Sequence, residues 1–207
     1  MRIDLDSMTS NRLEAFSDWV LAIIITIMVL ELVSPDQVTL ESLIPIVPTF
    51  VSYFFSFIYI GIYWNNHHHL FQVTQKINGK ILWSNLHLLF WLSLIPFSTT
   101  WIGENYMEAV PVALYGFILL MSAIAFYILQ RTIIKSHKEN FVLRKAVGRD
   151  SKGKMSIALY TFGLLISFLN TWAAIGIYII VAIIWFIPDS RIEKNLDKPK
   201  KGVSPAK

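Results

Sequence analysis

Residues 108–130 read EAVPVALYGFILLMSAIAFYILQ, and after Glu108 no position carries a formal charge. A helix crosses the hydrocarbon of a bilayer with roughly 20 mostly apolar residues, so this stretch is long enough to span. Working outward, five more apolar stretches follow the same pattern: about 13–33, 43–64 and 81–102 before it, about 155–170 and 172–187 after it. The last two are short and meet tightly around Asn170 and Thr171. The expected architecture is an all-α integral membrane protein with six transmembrane helices over 1–188. The remaining 189–207, with Pro199, Pro205 and scattered lysines, reads as a basic, disordered cytoplasmic tail.

The composition agrees. Apolar residues make up 55% of the chain and charged ones only 15%, against roughly 25% charged in ordinary globular domains. This balance, with a mean hydropathy of +0.53, excludes a disordered chain, a collagen and a typical cytosolic enzyme. With no cysteine, disulfides, thiolate nucleophiles, zinc ribbons and iron–sulfur sites are excluded together. There is no TVGYG filter loop, arginine-laddered helix, P-loop lysine or HExxH motif, so neither a cofactor nor an enzymatic activity is implied.

The net charge of +4 would suit nucleic acid if the basic residues formed one patch, but they are distributed by topology. Arg2 and Arg12 precede the first span, and Lys76 and Lys80 lie between the second and third. Arg131, Lys135, Lys138, Arg144, Lys145, Arg149, Lys152 and Lys154 lie between the fourth and fifth, and the rest follow the last. All eighteen fall on one side, and positive residues avoid translocated loops. The opposite loops carry Asp36, Glu41, Glu104 and Glu108, either as solvated caps or as concentrators of cations at a pore mouth. The expectation is a multi-pass protein with both termini and loop 135–154 cytoplasmic, its basic segments meeting the lipid bilayer and not nucleic acid. A secretory signal is not expected, because Asp4, Asp6 and Glu14 lie at the N-terminus and no small-residue cleavage site follows.

The first span is unusual. Its clean apolar run, 19–30, is too short to cross, so the helix must take in Arg12, Glu14, Ser17 and Asp18, with Asn11 as N-cap and Glu14 completing a capping box. An ionisable residue inside a span is a functional candidate. Asp18 either locks helices together, paired with Arg12 or a histidine, or relays a proton or cation. His67, His68 and His69 on a helix point in three directions, whereas metal pairs favour i, i+3 or i+4. They serve interhelical hydrogen bonds or, alternatively, a metal site, with Asn85 and His87 as further partners. Trp19, Ile23, Thr26, Ile27 and Leu30 share one sector of the first helix, Arg12 and Phe16 continue it, and Asp18 points away. That stripe is a packing face, or a surface where the Thr26 hydroxyl meets a partly dehydrated cation. Of the prolines only Pro96 is interior to a span, so the broken helices of many transporters are not expected.

Arg12-Leu13-Glu14-Ala15-Phe16-Ser17-Asp18 resembles the start of the transmembrane protein 175 family, potassium channels of bacteria and of animal endosomes and lysosomes. Its hallmark is R-x-x-x-F-S-D at the beginning of a helix. Further matches are Ala22-Ile23, Ile25-Thr26, Val29-Leu30-Glu31, Trp64 with His67-His68, and Leu70-Phe71. Leu82-Trp83 with Asn85, Leu94-Ile95-Pro96-Phe97 and Gly103-Glu104 follow. The similarity is specific over 12–104 and topological beyond.

The resemblance implies a potassium-selective channel, permeable to K⁺ and other monovalent cations, with no re-entrant filter and with its first helices around a central axis. Animal members resemble two fused six-helix repeats that dimerise, so a single-repeat chain implies a homotetramer, here of a bacterial plasma membrane. It also implies a hydrophobic constriction at Ile23, a part for Thr26 in favouring K⁺ over Na⁺, and no metal beyond the permeating ion. Arg12, Phe16, Ser17, Asp18, His67, His68 and Asn85 would form a network holding helices one to three. Trp19 departs from the pattern, since a small residue is expected there, and its indole bears on the width of the inner vestibule. Four copies of Ile23, Ile27 and Leu30 around an axis would make a narrow apolar neck of the kind that gates by dewetting. Aliphatic walls cannot replace a hydration shell, so selectivity should be modest and arise from water held at Thr26. Two competing readings are a proton-coupled transporter or proton-conducting channel titrating Asp18, and a membrane enzyme or metal carrier using His67, His68 and His69.

Overall fold

A computed structural model describes residues 10–72, 74, 76–137 and 151–186. Its helices are α1 (Ser10–Leu30), α2 (Val47–Gln72, entered through a 3-10 turn at Glu41–Ile46), α3 (Gly79–Ser93) and α4 (Ile95–Glu104), then α5 (Ala109–Ser136), α6 (Ser151–Ile166) and α7 (Thr171–Phe186). These fall into the six expected stretches, because α3 and α4 are halves of one. Among the described residues four stretches are long and apolar enough to cross a membrane: Ser10–Leu30, Glu41–Gln72, Gly79–Glu104 and Ala109–Ser136. α6 and α7, at 16 residues each, reach about 24 Å, less than the ~30 Å of a hydrocarbon core. The expected domain limit at 188, the tail 189–207 and most of the basic loop lie outside the described residues.

Several local expectations are corrected. Asn11 sits inside the first turn of α1, and Glu14 reaches across to α2 instead of closing a capping box. α2 runs past the expected end at 64 to Gln72, and the three histidines are helical, as expected. Lys135 rides on the last turn of α5, and Lys152 and Lys154 on the first turn of α6; these positions are not loop.

The third stretch breaks at Leu94 (φ −88°, ψ −8°), with Pro96 in the first turn of α4. Proline has no N–H to give the carbonyl of Leu92, and its ring crowds that carbonyl. α3 starts cleanly because Asn78 is extended and its Oδ1 accepts the Ile81 N–H at 3.0 Å.

α5 is the central post, packed on α3 and α4 and on α6 and α7. One apolar core joins α1, α2, α3 and α5 through Leu21, Ile24, Ile60, Leu88 and Leu129. A second joins α2, α5, α6 and α7 through Tyr59, Leu119, Tyr160, Tyr178 and Val181. Tyr178 seats between two glycines: a Cβ on Gly116 would lie 1.9 Å from its hydroxyl and one on Gly163 2.6 Å from its ring. α1 is peripheral, touching α2, α3 and α4 on one side only, and its outer face is uncovered.

Candidate functional site

α1 divides along its length. Leu13, Ser17, Leu21, Ile24 and Met28 are buried, and by helical spacing they share one side. On the opposite side Phe16, Trp19, Ile23, Thr26, Ile27 and Leu30 are all exposed, Trp19 at 69%, Ile23 at 56% and Leu30 at 79%. The predicted stripe is thus the face that this chain leaves without a partner. Thr26 Oγ1 donates to the Ile23 carbonyl at 2.8 Å, which spends its proton within the helix and leaves the oxygen as an acceptor on an exposed residue.

The inward face carries a directed chain of hydrogen bonds. His67 is buried, and its Nε2 meets Asn85 Oδ1 at 2.8 Å. Because a carbonyl oxygen only accepts, the ring donates from Nε2. Asn85 Nδ2 donates to Ser17 Oγ at 2.9 Å, and Ser17 Oγ donates to the Leu13 carbonyl at 2.9 Å. Three helices are joined through three side chains that expose almost nothing. His67 also stacks on Phe71, with ring centroids 4.4 Å apart.

Beside this chain run two rungs between α1 and α2. Trp64 Nε1 donates to Asp18 Oδ1 at 3.1 Å. His68 Nδ1 meets Glu14 Oε1 at 2.5 Å, while Gln72 Nε2 reaches His68 Nε2 at 2.8 Å. With the amide donating, the His68 proton sits on Nδ1 and points at the carboxylate.

The seven predicted network residues therefore separate. Ser17, Asn85 and His67 meet. Asp18 and His68 each bridge to the neighbouring helix with other partners, Trp64 and Glu14. Arg12 and Phe16 stay on the exposed side, and among the described residues Arg12 forms no ion pair with Asp18. His87 does not join either, since it accepts the Trp91 indole N–H within α3 at 2.9 Å. Among the described residues no group of three or more histidine, cysteine or acidic side chains is placed to hold a metal ion. Glu14 and Trp64 escaped the sequence reading of the network. A signal was present, because Glu14/Asp18 and Trp64/His68 are both i, i+4 pairs and face each other on antiparallel helices.

A family model described as endosomal/lysosomal potassium channel TMEM175 matches residues 12–96, the segment that contains every residue of these contacts. A potassium channel of Chryseobacterium sp. (strain P1-3) is 58% identical over 189 residues, covering 91% of this chain and 98% of that protein. The chain belongs to the TMEM175 family. Its fold is similar to the crystal structure of a lysosomal potassium-selective channel TMEM175 homologue from Chamaesiphon minutus, with a TM-score of 0.73 at 27% identity, over 87% of this chain and 97% of that one. The endosomal/lysosomal proton channel TMEM175 of Mus musculus is 32% identical over 95 residues, 44% of this chain and 19% of that protein. Within the TMEM175 segment, the exposed stripe and the buried hydrogen-bond chain occupy opposite sides of the same helix. One helix thus offers an uncovered surface and is hydrogen-bonded to α2 and α3 from behind.

Proposed function

We propose that this protein is a potassium-selective cation channel that assembles as a homotetramer with α1 around the central axis. The observation that carries the reading is the uncovered face of α1. An aliphatic stripe with one hydroxyl, backed by a polar network on its hidden side, is what a pore wall requires and what a helix buried in its own bundle does not. The relatives named potassium channels support the ion. In this reading Ile23, Ile27 and Leu30 form the constriction. Thr26, its proton engaged by Ile23, turns acceptor lone pairs to the ion or its water. Trp19 lies one turn to the inner side of Ile23. The segregation of basic residues supports cytoplasmic termini, and the bacterial relatives support a bacterial plasma membrane.

A second reading is favoured by the animal relatives named proton channels: protons share the pathway. Asp18 is poorly placed to carry them along the axis, since its carboxylate faces Trp64 and lies off the stripe.

Reversal potential and current amplitude in planar bilayers test the proposal. Ile23→Asn puts a hydrogen-bonding side chain into the neck and stabilises water there, so currents should rise. Thr26→Val keeps the shape and removes the oxygen, so the K⁺/Na⁺ permeability ratio should move toward one while conduction persists. Wild-type selectivity in Thr26→Val together with unchanged amplitude in Ile23→Asn would remove α1 from the pore.

A further inference from the structure

The end of the bundle where α3 begins and α5 finishes holds an open groove that the channel reading does not use. It is lined by Asn78, Lys80, Trp83 and Ser84 from the α3 side and by Thr132, Lys135 and Ser136 from α5. Two side-chain bonds fix its walls: Asn78 Nδ2 donates to Ser136 Oγ at 3.0 Å, and Ser84 Oγ to Thr132 Oγ1 at 3.3 Å. Lys80 and Lys135 are exposed, and among the described residues neither has a carboxylate partner. Trp83 is 72% exposed, and its indole N–H has no acceptor among the described residues. The groove therefore gathers two cations and a free donor with no carboxylate among the described residues to meet them.

The helices above it change character. By helical spacing Phe90 lies on the face of α3 that carries Trp83, two turns on, and Ile128 lies on the face of α5 that carries Lys135; both are exposed. The α5 wall thus runs from Lys135 to bare apolar surface at Ile128 about 10 Å deeper, and the α3 wall from Lys80 past Trp83 to Phe90 over about 15 Å. Phosphate alone would use only the first part. A phospholipid with an anionic headgroup would use both.

We propose that this groove binds an anionic phospholipid of the leaflet at the basic end of the bundle, its phosphate held by Lys80, Lys135 and the Trp83 indole and its acyl chain laid along Trp83, Phe90 and Ile128. Basic grooves between helix ends attract such headgroups, and each lysine adds a roughly five-fold gain in affinity near a charged surface. The site stands whether or not α1 lines a pore.

Native mass spectrometry of the purified full-length protein, titrated with phosphatidylglycerol, phosphatidylcholine or inorganic phosphate, tests it. Wild type should retain phosphatidylglycerol in preference to phosphatidylcholine. Lys80→Gln with Lys135→Gln should weaken that binding roughly 30-fold, while Lys80→Arg with Lys135→Arg keeps it and Lys154→Gln, on the exposed start of α6, leaves it unchanged. Undiminished phosphatidylglycerol binding in the glutamine variant would overturn the site, as would equal loss in Lys154→Gln. Displacement of the lipid by phosphate would assign the groove to a free anion instead, and a change in oligomer mass in the glutamine variant would assign it to a contact between subunits.

Discussion

Asn85 is the side chain through which α1, α2 and α3 are joined. It accepts from His67 and donates to Ser17 in a region shielded from solvent, and a buried polar group left alone costs about 1–3 kcal/mol. Asn85→Leu orphans His67 Nε2 and takes away the bond that Ser17 Oγ accepts, leaving Ser17 only its own bond to the Leu13 carbonyl, so the melting temperature in detergent should fall by several degrees. Adding His67→Phe removes one orphan and should recover part of the loss, because replacing both partners by apolar groups is far cheaper than removing one. Circular dichroism melts of the three proteins check this. An Asn85→Leu protein that melts with the wild type would show that the chain is not needed to hold the helices. Arg12 belongs to a different category. It carries no ion pair among the described residues and lies on the uncovered face.

At the scale of helices, close approach decides which positions tolerate change. Gly103 on α4 faces the backbone of α2: an added Cβ would lie 2.7 Å from Thr49 Cα, and a backbone atom cannot turn aside. Gly61, in the middle of α2, would place its Cβ in open space. Gly103→Ala should therefore force α4 away from α2 and lower the melting temperature. Gly61→Ala should match or exceed the wild type by about 0.5–1 kcal/mol, the usual preference for alanine inside a helix. Thermal melts in one detergent separate them, and equal melting of the two variants would refute the close packing. The break at Leu94 acts at the same scale. It frees the short α4 to lean on α2 while α3 stays against α5.

For the whole molecule, the uncovered face of α1 should be buried only on assembly. The chain has no cysteine, so single cysteines report cleanly. Ile27→Cys, on the stripe, should yield dimers with a short bismaleimide. Ile183→Cys, exposed on α7, should remain monomeric on the same denaturing gel. The reverse pattern would place the axis elsewhere. Orientation is tested with the same chemistry: an impermeant maleimide applied to intact cells should label Asp36→Cys and spare Ser151→Cys. Labelling of Ser151→Cys from outside would invert the topology.

The sequence by itself determined the apolar helical stretches, four of them long and apolar enough to span, the distribution of basic residues between them and the stripe on α1. Each follows from a one-dimensional constraint: the thickness of a bilayer, the cost of moving a charge through it, and the 100° turn between successive residues. The motif 12–18 carried the family, which later rested on a relative covering most of the chain. Only the tertiary structure decided which polar groups meet. Asp18 faced Arg12 or a histidine on paper and meets Trp64 in the fold; Glu14 read as a cap and meets His68; His87 read as a partner and bonds within its own helix. The physical reason is that such pairings depend on the rotation and axial register of separate helices. A shift of one residue turns a side chain by 100° and moves it 1.5 Å, and the packing of α1 against α2, α3 and α4 selects one register among many that the same spans allow.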